Sequence, residues 1–198
     1  MSKNWKCITS PTQSFAGLPV CTQLNDLEAD IAIIGLHYVS PYPQRLPATT
    51  AKTVVETAPD AIRRQSVIFI DHLDHYDFDF DDVLLAGRHV RMVDCGDVDK
   101  LHSGGKNPER IIAAIRTIMS WGAKPIVLGT DEGGCIPVIR AYDVYGSLCV
   151  VHIDAHIVWR DERNGVWEGY SSVMRRASEM PWVKAMVQKG NLALSNKF

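Results

Sequence analysis

The sequence has no marked excess of one charge, no long apolar run and no paired cysteine motif. Its 21 Lys and Arg residues nearly balance 23 Asp and Glu residues, and the net charge of −2 gives no electrostatic basis for binding nucleic acid or an anionic membrane. No apolar stretch approaches the roughly 20 residues that a membrane-spanning helix needs. The polar start, followed by Pro11, does not resemble a signal peptide. We therefore expect a soluble, cytoplasmic protein without nucleic-acid or membrane partners.

The five cysteines provide no disulfide framework. They are odd in number and form no CxxC pair, which is typical of a reducing compartment. Cys95 and Cys149 lie in or just after apolar strand-like runs. We expect both to be buried, reduced thiols.

Two common catalytic motifs are also absent. The chain contains no Gly-x-Ser-x-Gly elbow, so a serine hydrolase has no support. Residues 102–106 contain two glycines and a lysine, but they lack the P-loop spacing and its Lys-Ser/Thr end. Residues 71–75 hold two aspartates and two histidines, which we interpret as a solvated turn rather than a metal cluster.

Strand-like and helical patterns alternate along the chain. Apolar runs predict strands at residues 30–36, 90–94, 124–128 and 148–153, and alternation predicts a half-exposed strand at 71–82. Pro59 suits the first turn of a helix that continues to residue 64. A stripe of Ile111, Ile115, Ile118 and Met119 predicts a helix from Asn107 to about Trp121, ended by Gly122.

A further short helix is expected at residues 136–142. This alternation favours an α/β fold with a mainly parallel sheet flanked by helices. No linker or internal repeat divides the chain, so we expect one domain over residues 1–198.

The apolar run at residues 148–153 ends beside Asp154 and His156. Residues i and i+2 of a strand project to the same face, so we expect these side chains to point together at the rim where open α/β sheets bind ligands. Carboxylate with imidazole suits a hard divalent cation. A capped turn with a satisfied strand-end histidine is the alternative, and Val158, the next same-face residue, offers no third ligand.

A second strand end is expected at the same rim. Residues 128–134 (LGTDEGG) follow the predicted strand at 124–128, and their glycines allow the backbone to turn tightly. Asp131 or Glu132 in this turn could supply oxygen ligands to the same cation.

These stretches resemble the ureohydrolase family, the arginases and agmatinases, and most of all its agmatinase-type members. Residues 125–132 resemble the family's strand followed by Gly-Gly-Asp-His, and residues 151–156 resemble its Asp-Ala-His-x-Asp strand. Residues 164–179 resemble the loop and helix that follow. Weaker similarity covers residues 29–35, 58–64 and 93–97, so the resemblance spans about residues 15–190.

The resemblance implies a fold and an activity. The fold would be a three-layer α/β/α arrangement with a mainly parallel sheet, incomplete at its C-terminal side. Family members hydrolyse a guanidinium group to urea and an amine, using two manganese ions bridged by a hydroxide. Agmatine or 4-guanidinobutyrate would be the substrate, manganese the cofactor, and a homo-oligomer the assembly.

The family's metal ligands carry over only in part. Asp154 and His156 match two of six ligands, and Glu132 stands where the family usually has a histidine. Val158 replaces a carboxylate ligand, and the final Asp-x-Asp pair would lie beyond Phe198. The resemblance therefore implies a partial or weakened metal site and impaired activity.

Aromatic residues near these ligands also depart from the family pattern. Tyr170 occupies the place of a histidine that is thought to shuttle protons, which makes Tyr170 the candidate catalytic residue. A phenol has a reference pKa of about 10 and is therefore a poor acid–base group near pH 7. Trp159 and Trp167 flank the charged loop 160–164 and either line a guanidinium pocket or anchor the loop.

Two functional hypotheses follow from the sequence. The first is an agmatinase-like amidinohydrolase with impaired activity. The second is a catalytically inactive, truncated family member that serves as an assembly or regulatory subunit or persists as a non-functional remnant. Val158 and the missing Asp-x-Asp pair favour the second hypothesis for turnover, whereas the resemblance favours the first for biochemical class.

Overall fold

The computed structural model describes residues 8–42, 58–71, 74–98 and 107–190. Within these residues the chain forms eight strands, four α-helices and five short 3₁₀ helices. The strands are β1 (Ile8–Thr9), β2 (Ile31–Leu36), β3 (Tyr76–Asp77), β4 (Asp82–Val83), β5 (Met92–Val98), β6 (Lys124–Gly129), β7 (Leu148–Ile153) and β8 (Val183–Lys189). The helices are α1 (Ala58–Gln65), α2 (Asn107–Ser120), α3 (Cys135–Ala141) and α4 (Val173–Ser178). The 3₁₀ helices are Phe15–Gly17, Leu24–Asp26, Ser66–Phe69, Glu132–Gly134 and Tyr142–Tyr145.

The main sheet has the strand order β1-β5-β2-β6. Strands β5, β2 and β6 are parallel, and the short β1 pairs antiparallel with β5 at one edge. The predicted mainly parallel sheet with flanking helices is therefore confirmed. The central strand β2 is buried along nearly its whole length, because parallel sheets are covered by other elements on both faces.

Helix α2 covers one face of this sheet. Ile111, Ile115 and Ile118 are fully buried and pack in one cluster with Ile34 and Leu36 of β2. Burying each of these isoleucine side chains contributes about 1.5 to 3 kcal/mol relative to exposure. The predicted stripe and the end of the helix at Gly122, whose φ is +82°, are confirmed.

A second, separate sheet carries the C-terminal part of the described chain. Strands β7 and β8 run parallel and pair from Leu148↔Val183 to Ile153↔Lys189, and α4 packs beside them through Met174. Within the described residues no ladder of hydrogen bonds joins β6 to β7. Residues of β7 alternate in exposure: Val150 packs in the cluster beside α4, whereas Ile153 on the opposite face is 80% exposed. The strand is therefore half-exposed.

The predicted strand at residues 71–82 is instead a small hairpin. Strands β3 and β4 pair antiparallel over two residues each, and Phe78 between them is 90% exposed. The Asp77 carboxylate accepts hydrogen bonds from the backbone N–H groups of Asp79 and Phe80. This local side-chain bonding turns the backbone and overrides the alternating pattern. Of the segment 71–75, residues 72 and 73 lie outside the described residues.

The two cysteine expectations have different outcomes. Cys95 is fully buried in β5, and burial raises the pKa of its thiol to about 12. Cys149 in β7 is exposed, contrary to expectation, because the second sheet leaves alternate residues of that strand uncovered. No helix in the described ranges combines the length and apolar character needed to cross a membrane.

A buried ion network joins α1 to β5. Arg63 is fully buried; its Nε and Nη2 donate to the two carboxylate oxygens of Asp94 at 2.8 and 3.0 Å, and its Nη1 donates to Asp97 at 2.7 Å. Its Nη2 also donates to the carbonyl oxygen of Gly96 at 3.1 Å. The Arg63 charge is thereby shared between two carboxylates.

A bulge in β5 makes this network possible. Residues three apart in a regular strand face opposite sides, yet Asp94 and Asp97 both reach Arg63. Ile33 pairs with Asp94 whereas Gly35 pairs with Asp97, so β5 holds one extra residue there. Gly96 supplies the positive φ of +74° that the bulge uses, and a side chain on Gly96 would overlap the carbonyl oxygen of Thr9.

We expect Arg63→Met to lower the free energy of unfolding by about 3 to 5 kcal/mol, because it leaves two buried carboxylates without their cation. Urea denaturation at pH 7 measures the change. Arg64→Met, which removes the same charge from the exposed neighbouring position, should change stability by less than about 0.5 kcal/mol. Equal stability of the two variants would contradict a structural role for the network.

The same network predicts an acid-sensitive fold. Burial by itself raises the pKa of Asp97, but hydrogen bonds from His37 and Arg63 and the Arg63 charge outweigh it, so the pKa lies below its usual value of 3.8. The stabilisation is therefore complete above the unfolded-state pKa and is lost as the pH falls through the lower folded-state pKa. Asp97→Asn should be less stable at pH 7 by about 1 to 3 kcal/mol and should lose less stability than wild type in urea titrations from pH 5 to 2. The exposed variant Asp71→Asn is the control, and an unchanged acid dependence in Asp97→Asn would refute the assignment.

Candidate metal centre

The carboxyl ends of β6 and β7 meet although the two strands belong to different sheets. After β6 ends at Gly129, the chain turns into the short helix Glu132–Gly134. The Glu132 carboxylate then lies 3.5 Å from His152 Nε2 of β7. The shared rim expected from the sequence is therefore present in the structure.

Three ligand-bearing side chains converge at this point. Glu132, His152 and Asp154 each offer one ligand atom, and these atoms lie within 4.8 Å of one another. All three residues are half-buried, which leaves the group open to solvent on one side. Two carboxylates and one imidazole are a donor set that suits a divalent cation such as Mn²⁺.

The orientation of the His152 ring is set by β8. The side-chain amide nitrogen of Gln188 lies 3.2 Å from His152 Nδ1 and donates to the carbonyl oxygen of Ile157 at 3.0 Å. With an amide N–H facing Nδ1, the ring proton lies on Nε2 and points to Glu132. A cation bound at Nε2 would take the place of that proton.

The two carboxylates titrate in opposite directions. Burial, followed by the hydrogen bond and repulsion from Asp154, raises the pKa of Glu132, and His152 offsets only part of this. The pKa of Asp154 is lowered, first by the backbone N–H of His156 and then by the hydrogen bond from Glu132. Of the two carboxyl groups, Glu132 is therefore the one whose protonated form the surroundings favour. A divalent cation would remove the repulsion between them.

The structure places His156 differently from the other predicted ligands. Its side chain is 70% exposed, and its backbone N–H donates to the Asp154 carboxylate at 2.5 Å. Its Nδ1 lies 3.3 Å from the same carboxylate oxygen, but the convergent group contains His152 instead. Because β7 ends at Ile153, the same-face rule applies to residues 152 and 154 better than to 154 and 156. The end of the strand, which decides between the two pairs, is visible only in the structure.

Two neighbouring residues have structural partners rather than open ligand atoms. Asp131 caps the helix Glu132–Gly134 by accepting from Gly133 N at 2.8 Å, and it also accepts from Ser40 N and Oγ at 2.7 and 2.9 Å. Val158 packs into the apolar cluster of α4. Its φ of +41° is unfavourable for a β-branched residue.

Tyr170, the candidate catalytic residue, lies on this rim but outside the convergent group. Its backbone N–H donates to Ser40 Oγ at 2.8 Å, and its phenol oxygen accepts from Arg163 Nη1 at 3.1 Å. Trp159 packs in the apolar cluster with Met174, which fits an anchor for the loop. Trp167 is exposed, and the Arg176 guanidinium lies 5.8 Å from its ring.

Comparisons with known proteins agree on one family. A family model described as the Arginase family matches residues 29–197. An agmatinase from Neisseria gonorrhoeae (strain NCCP11945) is 27% identical over 151 residues, which cover 75% of this chain and 46% of the relative. The chain thus spans about half the length of this curated relative.

Solved structures show the same fold. Proclavaminate amidino hydrolase from Streptomyces clavuligerus superposes with a TM-score of 0.73 at 21% identity, covering 95% of this chain and 59% of its own. A formiminoglutamase from Trypanosoma cruzi, solved with Mn²⁺, superposes with a TM-score of 0.62 at 20% identity, covering 91% and 57%. These likenesses confirm the predicted α/β fold.

Paired histidine variants distinguish the two ligand sets. We expect His152→Ala to weaken Mn²⁺ binding by about tenfold or more, because it removes a side chain from the convergent group. His156→Ala should leave the affinity nearly unchanged, since its ring is exposed. Isothermal titration calorimetry at pH 7 measures both. The reverse ranking would support the pair Asp154 and His156 as the ligands.

Proposed function

The chain belongs to the arginase family, and we propose that it is an agmatinase-like amidinohydrolase that acts in the cytoplasm on a small guanidino substrate. Hydrolysis would release urea and an amine. The observation that carries the proposal is the convergence of Glu132, His152 and Asp154 at the rim. Agmatine and 4-guanidinobutyrate are the proposed substrates, with support from relatives named agmatinase.

The donor set fits one divalent cation, for which we propose Mn²⁺. Asp154 carries the more acidic carboxylate, and Glu132 and His152 would complete the ligands on this chain. When bound, the cation would lower the pKa of a water molecule and offset negative charge that develops during hydrolysis. A single group of three ligands supports a partial site, and hence the impaired activity inferred from the sequence.

The ligands on the rim would lose their protons when a cation binds. His152 Nε2 and Glu132 Oε1 lie 3.5 Å apart, and both would bind the cation in their deprotonated forms. Because the pKa of Glu132 is raised, cation binding would displace protons from the site. Tyr170 would position the substrate rather than transfer protons.

Specific observations also support the alternative, an inactive family member that serves as an assembly or regulatory subunit. Val158 packs in an apolar cluster where the family resemblance implies a carboxylate. Apolar side chains of β6 and β7, including Ile126 and Val151, are exposed. Exposed apolar side chains of this kind favour association, so a homo-oligomer is proposed under either function.

Urea release tests the proposed activity. We expect the purified chain to produce urea from agmatine or 4-guanidinobutyrate only when Mn²⁺ is added. Glu132→Gln should reduce the rate by about 10- to 100-fold, because it removes a carboxylate ligand. Glu28→Gln, which neutralises a highly exposed carboxylate, should retain the wild-type rate.

The variant Val158→Asp tests whether an added carboxylate increases metal binding and activity. Aspartate tolerates a positive φ better than valine and would supply the carboxylate that the resemblance implies, so Mn²⁺ affinity and urea release should both rise. Absence of urea from the wild type and from Val158→Asp would overturn the catalytic proposal in favour of the subunit alternative.

A further inference from the structure

We propose that Tyr42 and Tyr170 form a guanidinium-binding subsite, and that Arg163 occupies it as an internal ligand which the substrate displaces. The two rings are called the aromatic corner below. The inference rests on the proposed function for the identity of the substrate, and it adds where the guanidinium group is held and what competes with it.

The aromatic corner already holds a guanidinium group. The two ring centroids lie 4.7 Å apart with an interplanar angle of 67°, so the rings meet edge to face. The Arg163 Cζ atom lies 5.4 Å from the Tyr42 centroid and 5.7 Å from the Tyr170 centroid. Arg163 Nη1 also donates to the Tyr170 phenol oxygen at 3.1 Å. Two aromatic rings and one oxygen thus recognise the planar cation.

Arg163 differs from the other arginines near the rim. Arg140 binds both carboxylate oxygens of Glu168, and Arg176 pairs with Asp161 and Glu179. Within the described part of the chain, no carboxylate lies within ion-pair distance of Arg163. Among the described residues, the partners of its positive charge are the two rings and the Tyr170 phenol. Another guanidinium ion could replace it without breaking an ion pair to any of these residues.

A tight turn at residues 163–166 positions Arg163 at the aromatic corner. The backbone groups of Arg163 and Val166 exchange two hydrogen bonds of 2.9 and 3.0 Å, and Asn164 and Gly165 between them have φ values of +54° and +78°. The Glu162 carboxylate accepts from Gly165 N at 2.8 Å. The turn is stabilised by its own backbone bonds, so the exposed Arg163 side chain can leave the corner while the turn stays folded.

The corner itself is anchored. The Tyr42 hydroxyl lies 2.5 Å from Ser171 Oγ. Gly169 leaves the room that the Tyr42 ring occupies, since a side chain on Gly169 would overlap the phenol. These contacts hold the Tyr42 ring independently of Arg163.

Hydrogen bonds connect the corner to the metal centre. Tyr170 N donates to Ser40 Oγ, which donates to the Asp131 carboxylate, and Asp131 directly precedes Glu132. Two hydrogen bonds and one peptide link thus join the subsite to the ligand group. A guanidinium held at the corner would lie on the same rim as Glu132, His152 and Asp154.

Agmatine binding to the full chain without added metal tests the inference apart from turnover. We expect Arg163→Ala to bind agmatine about fivefold more tightly than wild type in calorimetry, because the internal competitor is gone. Tyr42→Leu should bind agmatine about fivefold more weakly. Tyr42→Phe, which keeps the ring but loses the hydroxyl contact to Ser171, should lose less affinity than Tyr42→Leu. If Tyr42→Leu fails to fold, Arg163→Ala decides the inference.

Matched controls separate the guanidinium effect from charge. Putrescine carries two positive charges but no guanidinium group, so its binding should not respond to Arg163→Ala. Arg88→Ala removes a charge from an exposed position between β4 and β5 and should leave agmatine affinity unchanged.

Unchanged or weaker agmatine binding by Arg163→Ala, or an equal gain for putrescine, would overturn the subsite. If urea were nevertheless released, the proposed function would stand without it. A gain in agmatine affinity without any urea release would keep the subsite and reject catalysis.

Discussion

The buried guanidinium of Arg63 is the interaction on which the main sheet depends. It binds Asp94 and Asp97 of β5 from a position in α1, and Asp94 also accepts from the backbone of Phe15 in the N-terminal segment at 2.8 Å. One cation therefore links a helix, a strand and the segment that precedes β2. Desolvating these charges is costly, and the cost is met only because the bulge at Gly96 brings both carboxylates to the same side.

The sheet organised in this way carries one half of the metal centre, and the second sheet carries the other. Glu132 follows β6, whereas His152 and Asp154 lie at the end of β7. No strand-to-strand ladder in the described ranges links β6 with β7, so the carboxylate–imidazole contact is the polar link between their ends. Two carboxylates placed within a few ångströms repel each other, and a bound cation would relieve that repulsion.

The same rim would connect the proposed metal site to the proposed guanidinium subsite. Ser40 is hydrogen-bonded both to Asp131, beside the ligand Glu132, and to Tyr170 of the aromatic corner. A shift of this serine would move both groups, which makes it a positioning residue for the proposed chemistry. The Arg163 guanidinium in the corner has the chemical character of the proposed substrates, so the loop that carries it would set how readily substrate enters.

Local pattern was enough to determine much of the fold. The spacing of Ile111, Ile115 and Ile118 and the apolar run of β2 identify a covered helix and a central strand, because periodicity reports directly on which face is buried. The family relationship and the rim position of Glu132 and Asp154 also follow from the sequence. Other features depended on contacts between distant residues. The tertiary structure alone decided that Arg63 is buried, that β7 is half exposed and that His152 joins Glu132 while His156 faces solvent. Each of these outcomes depends on which strands pair and where a strand ends, and neither is encoded in the spacing of nearby residues.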